Sequence, residues 1–352
     1  MRYYFSLRLI FVLNFFFMTP KLRRYLIGGA AATVLALGAG YMSMNSIGWD
    51  RPTSDPVLIK VPAGTAGAKI ADIMQKEGLD VNSLFFRLKL RLDGGANKIQ
   101  AGYYQIKKGQ TVSDVVTKLT TGDAYLLSWR LADGATWWEM RQSLDNTEGL
   151  KHDTQEMSND EILFAIGAKD GHMEGLFAPN TYNFHADLSD LKVLKKAYEL
   201  QQKILTHEWS NRGPDCAVKT PYEALILASI VEREVGRPED RFIVAGIFTN
   251  RLKIRMPLQT DPTVIYGEGE KFEGRLRRKH LTKKTAYNTY TFIGLPPTPI
   301  GMPTQESIHA VLHPAKTDYL YFINKDNGDL VPSKTLEEHN RAVDLYIRKK
   351  GQ

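Results

Sequence analysis

Residues 25–47 read YLIGGAAATVLALGAGYMSMNSI, without one charged side chain. As a helix, at about 1.5 Å per residue, such a run spans roughly 30 Å, the thickness of a bilayer's hydrocarbon core. Residues 25–47 are therefore predicted to be a transmembrane helix. Lys21, Arg23 and Arg24 precede it directly. The positive-inside bias puts residues 1–24 in the cytoplasm and everything after Asp50 outside. A cleaved signal peptide is the alternative. Its apolar core is usually about 7–15 residues, so the longer run here favours an uncleaved anchor. Met18 opens an ordinary-looking start, MTPKLRRYL, and the apolar residues 1–17 read as an extension upstream of it.

Beyond a proline-rich linker, RPTSDP, the pattern alternates between two periods. VLIKVPAG predicts a strand and a turn. GAKIADIMQKEGL predicts a helix, with Ile70, Ile73 and Met74 at helical spacing and Gly78 as its stop. Residues 82–92 predict a second helix, and IQAGYYQI a strand. A turn at Lys108 and Gly109 leads to a helix over 112–119 closed by Gly122. Strand, helix, helix, strand and helix make a compact α+β module over residues 55–124. Tyr103 and Tyr104 within it read as packing residues. From Leu126 the pattern restarts and defines a second, mixed α/β domain over 126–352. SWRLADGATWWEMRQSL predicts a strand into a helix, and a mainly helical stretch runs on to Trp209. Trp137 and Trp138 suit either stacking on a flat ligand or anchoring of this domain's core. The fold class is α+β, behind a single membrane helix.

TPYEALILASIVEREVG, residues 220–236, is the most legible segment. Thr220 suits the N-cap, Pro221 the first helical position, and Glu223 completes a capping box. Gly236 and Pro238 end the helix. Ala224, Leu227, Ala228, Val231 and Val235 form one apolar stripe, which Glu234 continues and Glu232 leaves. A carboxylate on an apolar face at a helix end has its charged form disfavoured and its pKa raised, as a general acid requires. The plainer alternative pairs both glutamates with Arg233 and Arg237.

Composition adds exclusions. The 352 residues are 43% hydrophobic and 24% charged, which is globular and rules out a disordered or low-complexity chain. One cysteine, Cys216, rules out an internal disulfide framework. The eight histidines are scattered and suggest no metal cluster, and no cofactor is implied. His313, before Pro314, reads as structural. The net charge of +7 is a mild basic excess. Seven of the fourteen residues in KFEGRLRRKHLTKK, 271–284, are Lys or Arg. They raise nucleic-acid binding as a possibility, but the outside topology argues against it and favours a solvated face. Residues 256–274 and 286–303 are dense in Gln, Asp, Asn, Thr and Tyr among Gly and Pro. Such loops expose hydrogen-bonding and flat aromatic side chains together, as a carbohydrate cleft does.

EGLFAPNTY, LASIVEREV, NRLKIRMPLQTDPTVIYG, TAYNTYTFIGLPPTPI and HPAKTDYLYF stand in this order. In them the chain, from about Val57 onward, resembles the endolytic murein transglycosylases of the MltG/YceG type. The resemblance implies a LysM-like module before a catalytic domain on the outer face of a bacterial inner membrane. It implies cleavage of the MurNAc-GlcNAc β-1,4 bond of peptidoglycan strands, leaving 1,6-anhydroMurNAc ends, with peptidoglycan synthases as possible partners. The family's acid aligns with Glu234 of IVERE, and Glu232 is the fallback. Gln259, Thr260, Asp261, Tyr287, Asn288 and Tyr290 are the candidates for holding the sugar. Asp261 could equally serve as an N-cap, and Asn288 as a turn residue. A non-catalytic, membrane-tethered glycan-binding scaffold is the rival reading.

Overall fold

The structure is a computed structural model describing residues 19–348 except 94, 96, 169, 170, 271 and 273. The extension over 1–17 and the start at Met18 lie outside the described residues. The chain divides into two compact units, 1–126 and 127–352.

In the first unit, helix α1 runs over Pro20–Asn45, 26 residues with none buried, and is long and apolar enough to cross a membrane. It starts before the expected residue 25 because Pro20 fits a first turn and Lys21 to Arg24 are good helix formers. It ends before the expected residue 47. The Asn45 side chain accepts from the Ser113 amide at 3.0 Å, and Ile47 enters a strand instead. That strand, β1 (Ile47–Trp49), pairs with β3 (Leu79–Val81). Strand β2 (Val57–Val61) pairs antiparallel with β4 (Gly102–Ile106), Val57 opposite Ile106. Along β2, Val57, Ile59 and Val61 face inward and Leu58 and Lys60 outward, the period of two that a half-buried strand requires. Helices α2 (Gly67–Lys76), α3 (Ser83–Leu92) and α4 (Val112–Thr121) close over Ile59, Met74, Phe86, Tyr104 and Leu119. Tyr104 is fully buried, its hydroxyl donating to the Gln100 carbonyl at 2.8 Å. The predicted element order is present, with β1 and β3 added.

The second unit has two cores. In one, β5 (Leu127–Leu131) and α5 (Trp137–Asp145) pack with α6 (Asn159–Ile166) and β7 (Asn180–Phe184). A short parallel pair, β6 (Leu150–Lys151) and β8 (Leu188–Ser189), flanks them. Trp137 stacks on Phe177 at 5.6 Å and packs against this core, and Trp138, half-buried, stacks on Tyr266 at 5.1 Å.

The other core surrounds α8 (Pro221–Glu234) with α7 (Asp190–Ser210), α9 (Arg241–Lys253) and α10 (Asp261–Glu268). After the short α11 (Arg278–Thr282), α12 (Gln305–Leu312) lies against α8. A hairpin, β9 (Tyr321–Asn324) and β10 (Leu330–Ser333), carries the last helix, α13 (Leu336–Tyr346). Thr220 caps α8 as expected, accepting from the Glu223 amide at 3.1 Å. The Glu223 carboxylate reaches back one residue further than a capping box, to the Lys219 amide. The expected apolar stripe is instead a full sheath: residues 224–231 are all buried. Protein surrounds this helix, so no polar face was available to solvent.

A fully buried leucine contributes about 1.5–3 kcal/mol by burial, and truncation adds a cavity. Leu227→Ala, at a site with no exposure, is expected to cost about 2–5 kcal/mol in urea unfolding followed by tryptophan fluorescence. A loss below about 1 kcal/mol would mean that the core collapses around the gap.

Candidate active site

Glu232 and Glu234 close the last turn of α8, and two residues of helix turn them about 200° apart. Each therefore meets a different set of neighbours. The Glu232 side chain is 5% exposed and fully partnered. Arg241 Nη2 donates to its Oε1 at 2.9 Å and the Thr304 amide to its Oε2 at 3.0 Å, with the Thr304 hydroxyl beside it. Burial alone would raise its pKa, but the hydrogen bonds from Thr304, Ser307 and Arg241 outweigh it and hold the carboxyl below the ordinary range. Glu232 is thus an ionised strut joining α8 to α9 and the start of α12.

Among the described residues, Glu234 has one side-chain hydrogen-bond partner, the Thr260 hydroxyl. Desolvation pushes its pKa up to about 7, against that hydrogen bond. The Asp261 carboxylate adds to the rise and Arg251 opposes it. Val235, extended, takes the chain out of the helix, and Asn324 Nδ2 donates to the Glu234 carbonyl at 3.1 Å. The hairpin thereby fixes the end of the helix that carries the acid.

Glu234 lines a cleft of about 410 Å³ together with Arg251, Gln259, Asp261, Tyr290, Tyr321, Asn324 and His339. Gln259 holds a positive φ of 46°, a strained conformation for a residue with a side chain. Its amide donates to the Thr289 carbonyl at 3.1 Å, and the next amide, Thr260, to the Thr289 hydroxyl at 3.1 Å. Thr263 completes this buried cluster, its hydroxyl 2.9 Å from that of Thr289. Three threonines thus hold the loop that brings the Thr260 hydroxyl to Glu234.

Asp261 opens α10 and accepts from the Tyr290 hydroxyl at 2.6 Å. Burial and the carboxylates of Asp261 and Glu234 push Tyr290 well above the usual phenol range, so it remains a neutral donor. Four of the six proposed sugar-holding residues therefore gather at Glu234: Gln259, Thr260, Asp261 and Tyr290.

Two stand elsewhere. Asn288 is fully buried, and its amide nitrogen serves the carbonyls of His280, Leu281 and Lys283 while its oxygen accepts from the Tyr290 amide. Its amide is consumed in shaping the loop beneath Tyr290. Tyr287 packs against Tyr266 and pairs with the Thr298 hydroxyl at 2.9 Å, away from the cleft lining.

Three cleft residues carried no sequence expectation. Arg251 is buried, with Nε on the Leu320 carbonyl and Nη1 on the Leu258 carbonyl, each at 2.6 Å. Burial pulls its pKa down, and Tyr321, Tyr290 and Glu234 partly restore it. His339 stacks near Tyr321 at 5.4 Å, and burial and Arg251 lower its pKa, so it is neutral at pH 7. Asn324 comes from the hairpin. An arginine ending an otherwise apolar run, FIVAGIFTNR, was the one local signal among them.

A second carboxyl, Glu174, is also pushed up to about 7 by burial. It is 4% exposed, accepts from the Trp137 amide at 2.8 Å and is absent from the cleft lining. A raised pKa without access to a ligand is a feature of the core. Larger clefts exist, one of about 580 Å³ beside Glu232 and Arg233 and one of about 790 Å³ beside Glu208 and His309. Their buried carboxyls, Glu232 and Glu208, are both held below the ordinary range by hydrogen bonds. His313 follows α12 and lies against His309, ring centroids 4.4 Å apart. In the basic segment, Lys271 and Glu273 lie outside the described residues, and Lys283 pairs with Glu268 at 3.0 Å.

The model of the YceG-like family matches residues 59–345. An endolytic murein transglycosylase of Bacillus subtilis (strain 168) is 32% identical over 320 residues, covering 86% of this chain and 88% of that protein. One of Streptococcus pneumoniae (serotype 2, strain D39) is 24% identical over 331 residues, covering 84% of this chain and 59% of that longer protein. The crystal structure of a yceG-like protein from Listeria monocytogenes is 27% identical and covers 82% of this chain and all of that one, with a TM-score of 0.51.

The raised Glu234 pKa has a consequence for stability. Its folded value, about 7, lies above the ordinary 4.5. The stability tied to its protonated form is full below the lower value and is lost as pH rises through the upper one. Glu234→Gln does not titrate there. The variant is expected to lose less stability than the wild type between about pH 5 and pH 8, by on the order of 2 kcal/mol. Urea unfolding at the two pH values checks this. Glu174 titrates in both proteins, so the difference isolates Glu234, and equal pH slopes would mean that Glu234 ionises as in water.

Proposed function

The chain belongs to the YceG-like family, and from that premise we propose that it is an endolytic murein transglycosylase whose general acid and base is Glu234. The contrast between the two glutamates carries this reading. Glu232 is ionised and fully hydrogen-bonded, whereas Glu234 is desolvated, near neutrality and open to a cleft. An acid that is to give up a proton and take one back at neutral pH needs the second environment.

The substrate is the MurNAc-GlcNAc β-1,4 bond within a peptidoglycan strand. Protonated Glu234 donates to the glycosidic oxygen as the C1–O bond breaks. The MurNAc C6 hydroxyl then attacks C1 and returns its proton to the Glu234 carboxylate. The product is a 1,6-anhydroMurNAc end, water is not consumed, and the acid is regenerated. The intramolecular nucleophile is already positioned, which replaces the second carboxylate of ordinary glycosidases. Asp261, held by Tyr290, adds negative potential beside the developing oxocarbenium. Gln259, Asn324 and Tyr321 offer hydrogen bonds and an aromatic ring to the sugars.

Helix α1 anchors the enzyme once in the inner membrane, with the catalytic domain, residues 126–352, in the periplasm. The uncharged run behind Lys21, Arg23 and Arg24 supports that topology. The module over 55–124 is read as LysM-like and engages long glycan strands. Its β2–α2–β3–α3–β4 order, with β2 and β4 paired antiparallel, supports this reading. Peptidoglycan strands and, in the same compartment, peptidoglycan synthases are the partners. The exposed basic segment is a solvated face rather than a nucleic-acid site.

Glu234→Gln keeps the side chain's volume but has no proton to transfer. It is expected to lose about 10²–10⁴-fold in release of anhydro-ended fragments from purified sacculi, assayed by mass analysis, while still binding glycan. Near-normal turnover with Glu232→Gln dead would move the acid to Glu232, and full activity of both variants would return the reading to a glycan-binding scaffold. For the topology, a reporter that works only in the periplasm, fused after Gln352, is expected to be active. Activity of a cytoplasm-only reporter at the same place would reverse it.

A further inference from the structure

The second unit holds a group of ligating side chains that the proposed chemistry does not use. Strands β6 and β8 run parallel, with Lys151 opposite Ser189. The next residue of each, His152 and Asp190, therefore leaves the ladder beside the other. Asp145, the last residue of α5, completes the group, and one ligand atom of each residue lies within 4.8 Å of the other two.

What distinguishes the group is its hydrogen bonding. Asp145 Oδ1 and His152 Nδ1 are both buried atoms without a hydrogen-bond partner among the described residues. Buried polar atoms are almost always paired, and two orphans in one cluster need an explanation. The rest of the cluster is held in place. Asp190 is fully buried, its Oδ1 accepting from the amides of Leu191 at 2.7 Å and Thr154 at 3.1 Å, and its Oδ2 from the Thr154 hydroxyl at 2.6 Å. Arg141 Nε donates to Asp145 Oδ2 at 3.2 Å, and its other end to the Thr154 carbonyl. It fixes that carboxylate by one oxygen and leaves the other unused. Such oriented outer partners are what a metal site has around its ligands.

We infer that Asp145, His152 and Asp190 bind one divalent transition-metal ion, with zinc the best match. One imidazole nitrogen and two carboxylate oxygens form a borderline donor set of the kind zinc takes. Magnesium and calcium favour six or more oxygens. Asp145 and His152 are only partly buried as residues, which gives an ion a way in and a water a place as fourth ligand. The ion would tie the end of α5 to β6 and to the start of α7, a structural staple distinct from the Glu234 cleft.

A second group, Glu208, His309 and His313, meets the same distance criterion. There Gln305 Nε2 and His309 Nδ1 reach the two Glu208 oxygens at 2.8 and 2.7 Å, and none of the three side chains has a buried polar atom left without a partner among the described residues. Neither group reads as a metal motif along the chain, because Asp190 and Glu208 stand far from their partners.

The test uses the full chain in detergent, stripped with a chelator and titrated with zinc ion. About one equivalent is expected to bind and to raise the thermal midpoint. Asp145→Asn and His152→Gln are expected to weaken that binding at least about 100-fold, while His309→Gln leaves it unchanged. X-ray absorption of the zinc-loaded wild type supplies a check that needs no variant: one imidazole and carboxylate oxygens are expected. Absence of stoichiometric zinc binding would overturn the inference. So would binding lost only in His309→Gln, a two-imidazole spectrum, or displacement of zinc by equimolar magnesium or calcium.

Discussion

The site depends on keeping water away from one carboxyl group. Glu234 ends a helix that is buried on every side for its last two turns before the glutamates, so the backbone delivers the side chain into protein rather than solvent. A single threonine hydroxyl does not replace the hydration that a carboxylate loses. The neutral form is favoured, and the pKa rises to about 7. Everything else near the cleft bears on that balance. The hairpin amide of Asn324 holds the helix end, the threonine cluster holds Thr260, and strain at Gln259 is kept in place by the hydrogen bonds on either side of it.

The fold was legible where local period and punctuation were strong. In the first unit, Gly78 and Gly122 take positive φ at the ends of helices, and the alternation in VLIKV marks one strand face. The three-residue strands β1 and β3 were not legible, because their pairing joins residues 47–49 to 79–81 and neither segment is long enough to show a period. Helix α8 was found by its caps, but its face was not, since a helix surrounded by protein has no polar side. The reading of Glu234 as continuing an apolar stripe thus rested on an incomplete picture of the helix.

The candidate site was legible in part for a related reason. Gln259, Asp261 and Tyr290 stand in or beside loops rich in Gly and Pro and line the cleft, and Thr260 reaches Glu234 from beneath it. Asn288 and Tyr287 share the same composition, yet their polar groups are taken up by carbonyls and by Thr298. Composition cannot separate a side chain that serves a ligand from one that serves its own loop. Arg251 and His339 come from a helix and from the last element of the chain. Only the tertiary fold brings them to Glu234.

An acid that must also act as a base needs its two protonation states close in free energy. Burial alone would fix Glu234 as a neutral acid, able to donate and reluctant to stay ionised while the sugar reacts. Thr260 and Arg251 favour the ionised form, and Asp261 opposes them. Arg251 can do this without forming an ion pair because two backbone carbonyls hold its guanidinium in place. A direct bridge would have lowered Glu234 as Arg241 lowers Glu232, two residues away on the same helix. The two glutamates are chemically identical, so the difference between them lies in their partners: Thr304, Ser307 and Arg241 together hold the Glu232 carboxylate, and among the described residues Thr260 is the one side chain that hydrogen-bonds Glu234.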